Sequence, residues 1–178
     1  MQRSAITTTA ILSTALLLAA CAPMAARYSQ DTLPDAVKVP AGHQVAMQTV
    51  GVGKIAYECK MDKGAPAWVF AGPDAVLNDR GGMQVGTYAG PPATWANRDG
   101  SAVTATQVAV APAGAGNIPS QLVKANPATG SGAMQGVTYI QRVATQGGVA
   151  PASACSASNL GEKQWVNYQA DYIFWKAA

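Results

Sequence analysis

Histidine is the scarcest chemically useful residue in this chain, with His43 standing alone. A Ser-His-Asp or Cys-His site would have to be built on that one imidazole. It sits beside Gly42 at the start of the first strand-like segment, where a surface or edge position is the simpler reading. No cysteine or histidine recurs at metal-ligand spacing, so no metal site is expected. No glycine-rich loop precedes a helix, so no phosphate-bearing cofactor is expected, or any other. Charge is also sparse. Only 12% of residues are charged against 49% apolar, which excludes a disordered or polyampholyte chain. The lysines and arginines are scattered singly, and without a basic run nucleic acid is not an expected partner.

Long hydrophobic runs are missing except at the start. "MQRSAITTTAILSTALLLAACAP" has a basic residue at Arg3 and an apolar stretch from about Ala10 to Ala20. A bilayer core needs about 20 apolar residues, so this run is too short to span and reads as a signal peptide over residues 1–20. Leu18-Ala19-Ala20-Cys21 matches a bacterial lipobox, in which the Cys21 thiol is lipidated and becomes the mature N-terminus. The alternative is an ordinary secretory signal with Cys21 incidental. Ala22 stands where aspartate would favour inner-membrane retention, so the expected location is the outer membrane, lipid-anchored and facing the periplasm. Residues 21–40 carry Pro23, Pro34 and Pro40 with little periodicity and read as a tether, leaving a single domain over 41–178.

Without Arg3 the chain has eleven basic and nine acidic residues and is close to neutral. Setting Cys21 aside leaves Cys59 and Cys155, and in an oxidising compartment a disulfide is the expected state of such a pair. In the chain-entropy model, closing a loop of about a hundred residues stabilises by about 4.7 kcal/mol.

Beyond residue 41 the segments are short, bounded by glycine, proline or Asp-Gly, and alternate with period two. "KIAYECKM", the turn "DKG" and "APAWVF" form a hairpin. "SAVTATQVAVAP" and "VTYIQRVAT" continue the pattern, and "WVNYQADYIFW" sets Val166, Tyr168, Ala170, Tyr172 and Phe174 on one face. One segment has helical grammar: in "NIPSQLVKAN" Asn117 can cap, Pro119 suits a first turn, and Leu122 and Ala125 lie three apart, predicting a short helix near 118–125. The fold expected is all-β, an antiparallel sandwich or flattened barrel of about 8–10 short strands.

A pair of carboxylates could perform acid-base chemistry on a glycoside. The candidates are Glu58, Asp62, Asp74, Asp79, Asp99, Glu162 and Asp171. Asp62, Asp79 and Asp99 are each followed closely by glycine, the setting in which aspartate shapes a turn. Aromatic faces could instead stack on a sugar. Trp68 belongs to an inward row, but Trp95 lies between the Gly90-Pro91-Pro92 bend and the Asp99-Gly100 turn with no hydrophobic row to join. Tyr88, Trp95, Arg98 and Asp99 are therefore the candidate binding surface, the alternative for the two rings being to cover the end of the fold.

The segments "IAYEC", "WVFAGPDAVLNDRGG", "YAGPPATWANRDGSAV", "NIP", "GVTYIQRVATQGGVAPASAC" and "VNYQADYIFW", in this order from about Gly53 to Trp175, resemble the family of secreted proteins called domain of unknown function 3455. The resemblance implies export, one mostly β domain and pairing of Cys59 with Cys155; it brings no established activity. The chain departs from the pattern at Thr87, where members often carry histidine, at Pro92-Ala93-Thr94, where one residue is usual, and at Ser120 after Ile118-Pro119, where tryptophan is usual. These departures weigh mildly against an enzyme. The leading reading is a non-enzymatic binding module of the cell envelope, contacting a glycan or another envelope component. Its rivals are a polysaccharide hydrolase using Asp99 with Asp171, and a structural partner of an outer-membrane complex.

Overall fold

The computed structural model describes residues 28–178, so the signal peptide over 1–20 and the lipidated Cys21 lie outside the described residues. Eight strands follow one another: β1 His43–Asp62, β2 Ala65–Asn78, β3 Gln84–Ala89, β4 Thr94–Asn97, β5 Ala102–Ala111, β6 Ser120–Ala125, β7 Val137–Gly147 and β8 Lys163–Ala177. Each pairs antiparallel with the next, and β8 returns to pair with β1, so the sheet closes in a ring with no free edge. The expected all-β class and antiparallel order are observed. The ring is not a regular barrel, since its strands run from 4 to 20 residues and the β1–β2 register slips between Ala56 and Tyr57.

Turn chemistry sets the hairpins. Lys63 (φ 47°) and Gly64 (φ 89°) both take left-handed backbone in the tight β1–β2 turn, and the Asp79 carboxylate accepts the Gly81 and Met83 amides between β2 and β3. The helix expected near 118–125 is instead β6, paired with β5 and β7. The reason is that Leu122 and Val123 are adjacent and both buried, on opposite sides of the sheet: Val123 joins the interior cluster and Leu122 the cluster on the outer wall. That is a strand's period, and a helix would have left one of them on its polar side. Among the described residues the only helical elements are single 3-10 turns at Asp35–Val37 and Ala157–Asn159, so none is long and apolar enough to cross a membrane.

The interior is filled from the β1–β8 side. Tyr172, Phe174 and Ala170 of β8 are fully buried beside Leu77 and Met134, matching the aromatic row expected for the last strand. A second cluster, including Val37, Val39, Ile173 and Trp175, lies outside the ring. There the residues before β1 lie against the wall. The Gln30 amide holds both backbone groups of Val39, while Gln141 donates to Gln30 and to the Val37 carbonyl and accepts from Trp175 Nε1 at 2.9 Å. Tyr28, Gln30, Leu33, Val37 and Val39 thus pack against the wall of the ring, ahead of the domain expected from 41. Two apolar residues between prolines show no periodicity, yet they complete an apolar patch on strands that follow much later.

Cys59 of β1 and Cys155 are joined across 96 residues, with Cα atoms 5.4 Å apart. The bond ties the β7–β8 connection to β1, beside backbone hydrogen bonds from Cys59 to Glu162 and from Gly161 to Cys59.

Closure also requires small inward residues on β1. A Cβ at Gly51 would lie 2.6 Å from the Tyr172 ring, and one at Gly53 would collide with the backbone of Asp74 and Ala75 on β2. A side-chain ring can shift, whereas paired backbone cannot. Gly53→Ala is therefore expected to destabilise by about 3 kcal/mol, the upper range for overpacking, and Gly51→Ala by less. Urea denaturation of the two variants checks the order.

Candidate functional site

Tyr88 of β3 and Trp95 of β4 are directly opposite across the sheet. Both point inward, and their rings stack with centroids 4.5 Å apart and planes at 17°. The Tyr172 ring closes the group at 5.1 and 6.0 Å. Trp95 is only 2% exposed, so it faces the interior and not the end of the fold. The hydrophobic row it joins is made by strands remote in sequence, which is why none was visible locally.

Beyond this stack, toward the β1–β2 bulge, the interior is not filled. A cavity of about 390 Å³ remains, with Tyr57, Phe70, Tyr88, Trp95, Ile118 and Arg142 in its wall. The bulge helps to open it. The register slip sets Phe70 opposite Tyr57, where Phe70 is 51% exposed and meets the Tyr57 ring edge-on at 6.3 Å. The Tyr57 hydroxyl donates to the Gly148 carbonyl at 2.8 Å, fastening the start of the β7–β8 connection at this end.

Three polar features mark the wall. The Trp95 indole N–H is buried and has no hydrogen-bond partner among the described residues. Arg142 donates from Nε and Nη2 to the Pro119 carbonyl at 3.3 and 2.9 Å, and it makes no ion pair among the described residues. Gln121 donates to Gln107 at 2.7 Å, one bond that leaves the Gln121 amide oxygen and the Gln107 amide hydrogens over. Among the described residues no carboxylate lines the cavity. Burial pushes the phenols of Tyr57, Tyr88, Tyr168 and Tyr172 up from their ordinary value, and the Arg142 guanidinium pulls each partly back. All four stay protonated at neutral pH, and Arg142 projects its field into the ring.

Of the four residues expected to form a binding surface, Tyr88 and Trp95 meet in this wall while Arg98 and Asp99 do not. The latter two lie in the β4–β5 turn, and successive turns of a meander fall at opposite ends. Arg98 is exposed and donates to the Gln84 carbonyl. Asp99 accepts the Ser101 amide and hydroxyl at 2.9 and 2.6 Å and the Ala133 amide at 2.6 Å, against the Cβ-less face of Gly132. Asp171 points outward and accepts from Arg80 at 2.8 Å, so it shares no cleft with Asp99. His43 sits at the start of β1, its Nδ1 3.0 Å from the Pro40 carbonyl. Among the described residues no group of three His, Cys, Asp or Glu side chains could hold a metal.

Arg142, Tyr57, Phe70 and the two glutamines were not singled out by sequence. Within "VTYIQRVAT" Arg142 shares the face of the buried Ile140, but Gln141 on the other face is buried too, so nothing local marked the arginine.

Fold and site together define a closed eight-stranded antiparallel ring with an aromatic cavity at one end. The chain belongs to the family described as Protein of unknown function (DUF3455), whose model matches residues 40–176. No curated protein and no solved structure matches it.

Ser101 Oγ, the Ala133 amide and the Ser101 amide, in that order, hold the Asp99 carboxyl below its ordinary value of 3.8. A lowered value contributes stability that is present above pH 3.8 and lost as pH falls through the folded-state value. Asp99→Asn is expected to lower the melting temperature at pH 7, with the gap to the parent narrowing below pH 3.8. Thermal melts across pH 2–7 measure it.

Proposed function

We propose that the chain is a non-enzymatic binding module that holds a small molecule in the mouth of its ring. The observation that carries this reading is a buried indole N–H without an acceptor, in the wall of an unfilled aromatic cavity. Protein interiors pack almost without voids, and a buried donor left unpaired costs about 1–3 kcal/mol. Both departures at one place fit a site that a ligand completes. Closed eight-stranded sheets are also about the width that admits one small ligand.

The lipobox ending at Cys21 supports display of this module on the outer membrane, facing the periplasm, and a disulfide suits that compartment. The binding reading accordingly moves from the loop carrying Arg98 and Asp99 to the ring mouth, where Tyr88 and Trp95 remain part of it. A hydrolase using Asp99 with Asp171 has less support, because each carboxylate is engaged away from the cavity.

Ala105 lines the cavity with only a methyl group. Ala105→Leu is expected to fill the space and abolish one-to-one binding of the neutral aromatic probe N-phenyl-1-naphthylamine, while leaving the melting temperature equal or higher. Probe fluorescence together with a thermal melt decides. An unchanged probe signal in the variant would place binding outside the ring.

A further inference from the structure

We infer that the ring mouth takes a small aromatic carboxylate, with its ring among Tyr57, Phe70, Tyr88 and Trp95 and its carboxylate toward the Arg142 guanidinium. This rests on reading the cavity as a ligand site and adds what kind of ligand it selects.

The body of the ligand follows from the wall, where four aromatic side chains stand with Ile55, Ile118 and Val123. A volume of about 390 Å³ is at the small end for ligand pockets, enough for one or two fused rings with a short polar group. The head group follows from an imbalance of donors. Tryptophan N–H and guanidinium can only donate, and the one bond between the two glutamine amides leaves them three N–H donors beside the Gln121 oxygen. Arg142 spends Nε and one Nη2 hydrogen on Pro119, which leaves three of its five: both on Nη1 and the second on Nη2. Its field reaches the four buried tyrosines from Tyr57 to Tyr172, so the charge acts inside the ring.

With no carboxylate in the wall, a ligand rich in acceptors and carrying one negative charge supplies what is missing. A planar guanidinium matches a carboxylate in shape and charge. A quaternary ammonium would suit the aromatic rings but meets Arg142. A sugar finds acceptors in the Gln121 oxygen and the Tyr57 hydroxyl, but it leaves the Arg142 charge unanswered.

Isothermal titration calorimetry on the purified full chain compares 2-naphthoate with 2-naphthamide, which keeps the ring and removes the charge, and with acetate, which keeps the charge and removes the ring. One-to-one binding of naphthoate at least tenfold tighter than naphthamide is expected, in line with a charge-assisted hydrogen bond, with no acetate binding at the same concentrations. Arg142→Gln should reduce naphthoate to the level of naphthamide, and Arg142→Lys should restore part of the difference. Equal binding of acid and amide overturns the inference while leaving the cavity as a ligand site. Binding of neither overturns both, and acetate binding as tightly as naphthoate makes the site one for any small anion. If Arg142→Gln fails to fold, the acid-to-amide ratio on the unaltered chain still decides.

Discussion

The pairing of β1 with both β2 and β8 is the constraint on which the rest of this structure depends. Twenty residues of one strand serve as the shared wall of two sheets' worth of partners, and through them the first and last strands of the domain meet. Closure removes the sheet edges and creates an inside, which then has to be packed. Gly51 and Gly53 let β2 and β8 draw close to β1, Tyr172 and Phe174 fill the space this leaves, and the Cys59–Cys155 bond pins the long β7–β8 connection onto the same strand. Because contacts between the ends of the chain are involved, the loop-closure entropy is large, and a covalent tie across 96 residues offsets part of it.

The inside is not treated evenly. At one end Met134, Val137 and Phe174 pack densely; at the other the β1–β2 bulge turns Tyr57 and Phe70 toward space that no side chain occupies. An arginine with no ion pair among the described residues and an indole with a spare donor are held there by ordinary means, one by the Pro119 carbonyl and one by stacking on Tyr88. Neither arrangement is needed to close the sheet. The wall of strands supplies rigidity, and the polar groups supply a direction in which an acceptor is wanted, which is the division of labour of a preorganised binding site.

Much of the fold was legible because strand period and turn chemistry are local. The β1–β2 hairpin, the inward aromatic row from Val166 to Phe174 and the aspartate turns follow from residues adjacent in sequence. Three things were not. Leu122 and Val123 are each buried by a different layer, so their segment lacked alternation and borrowed the look of a helix. Val37 and Val39 find their partners on strands more than seventy residues later, and without those strands they read as a tether. Trp175, which could have ended the last strand exposed, is covered by that same segment, whereas Trp165 remains 52% exposed. The candidate site was half legible for a similar reason: Tyr88 and Trp95 are an unusual local pair, but Arg142 becomes notable only once the ring brings β7 around to face them.

The four tryptophan indoles give four separately readable N–H groups, and they differ in environment. Trp68 donates to the Ser153 carbonyl, Trp175 to Gln141, Trp165 is exposed, and Trp95 is buried without a partner among the described residues. Two-dimensional proton–nitrogen NMR of the labelled chain, titrated with 2-naphthoate, follows all four at once. Occupation of the ring mouth predicts that the Trp95 indole resonance moves furthest, while those of Trp175 and Trp165 hold still. Movement of Trp165 with Trp95 unchanged would put the ligand on the outer surface and contradict the account.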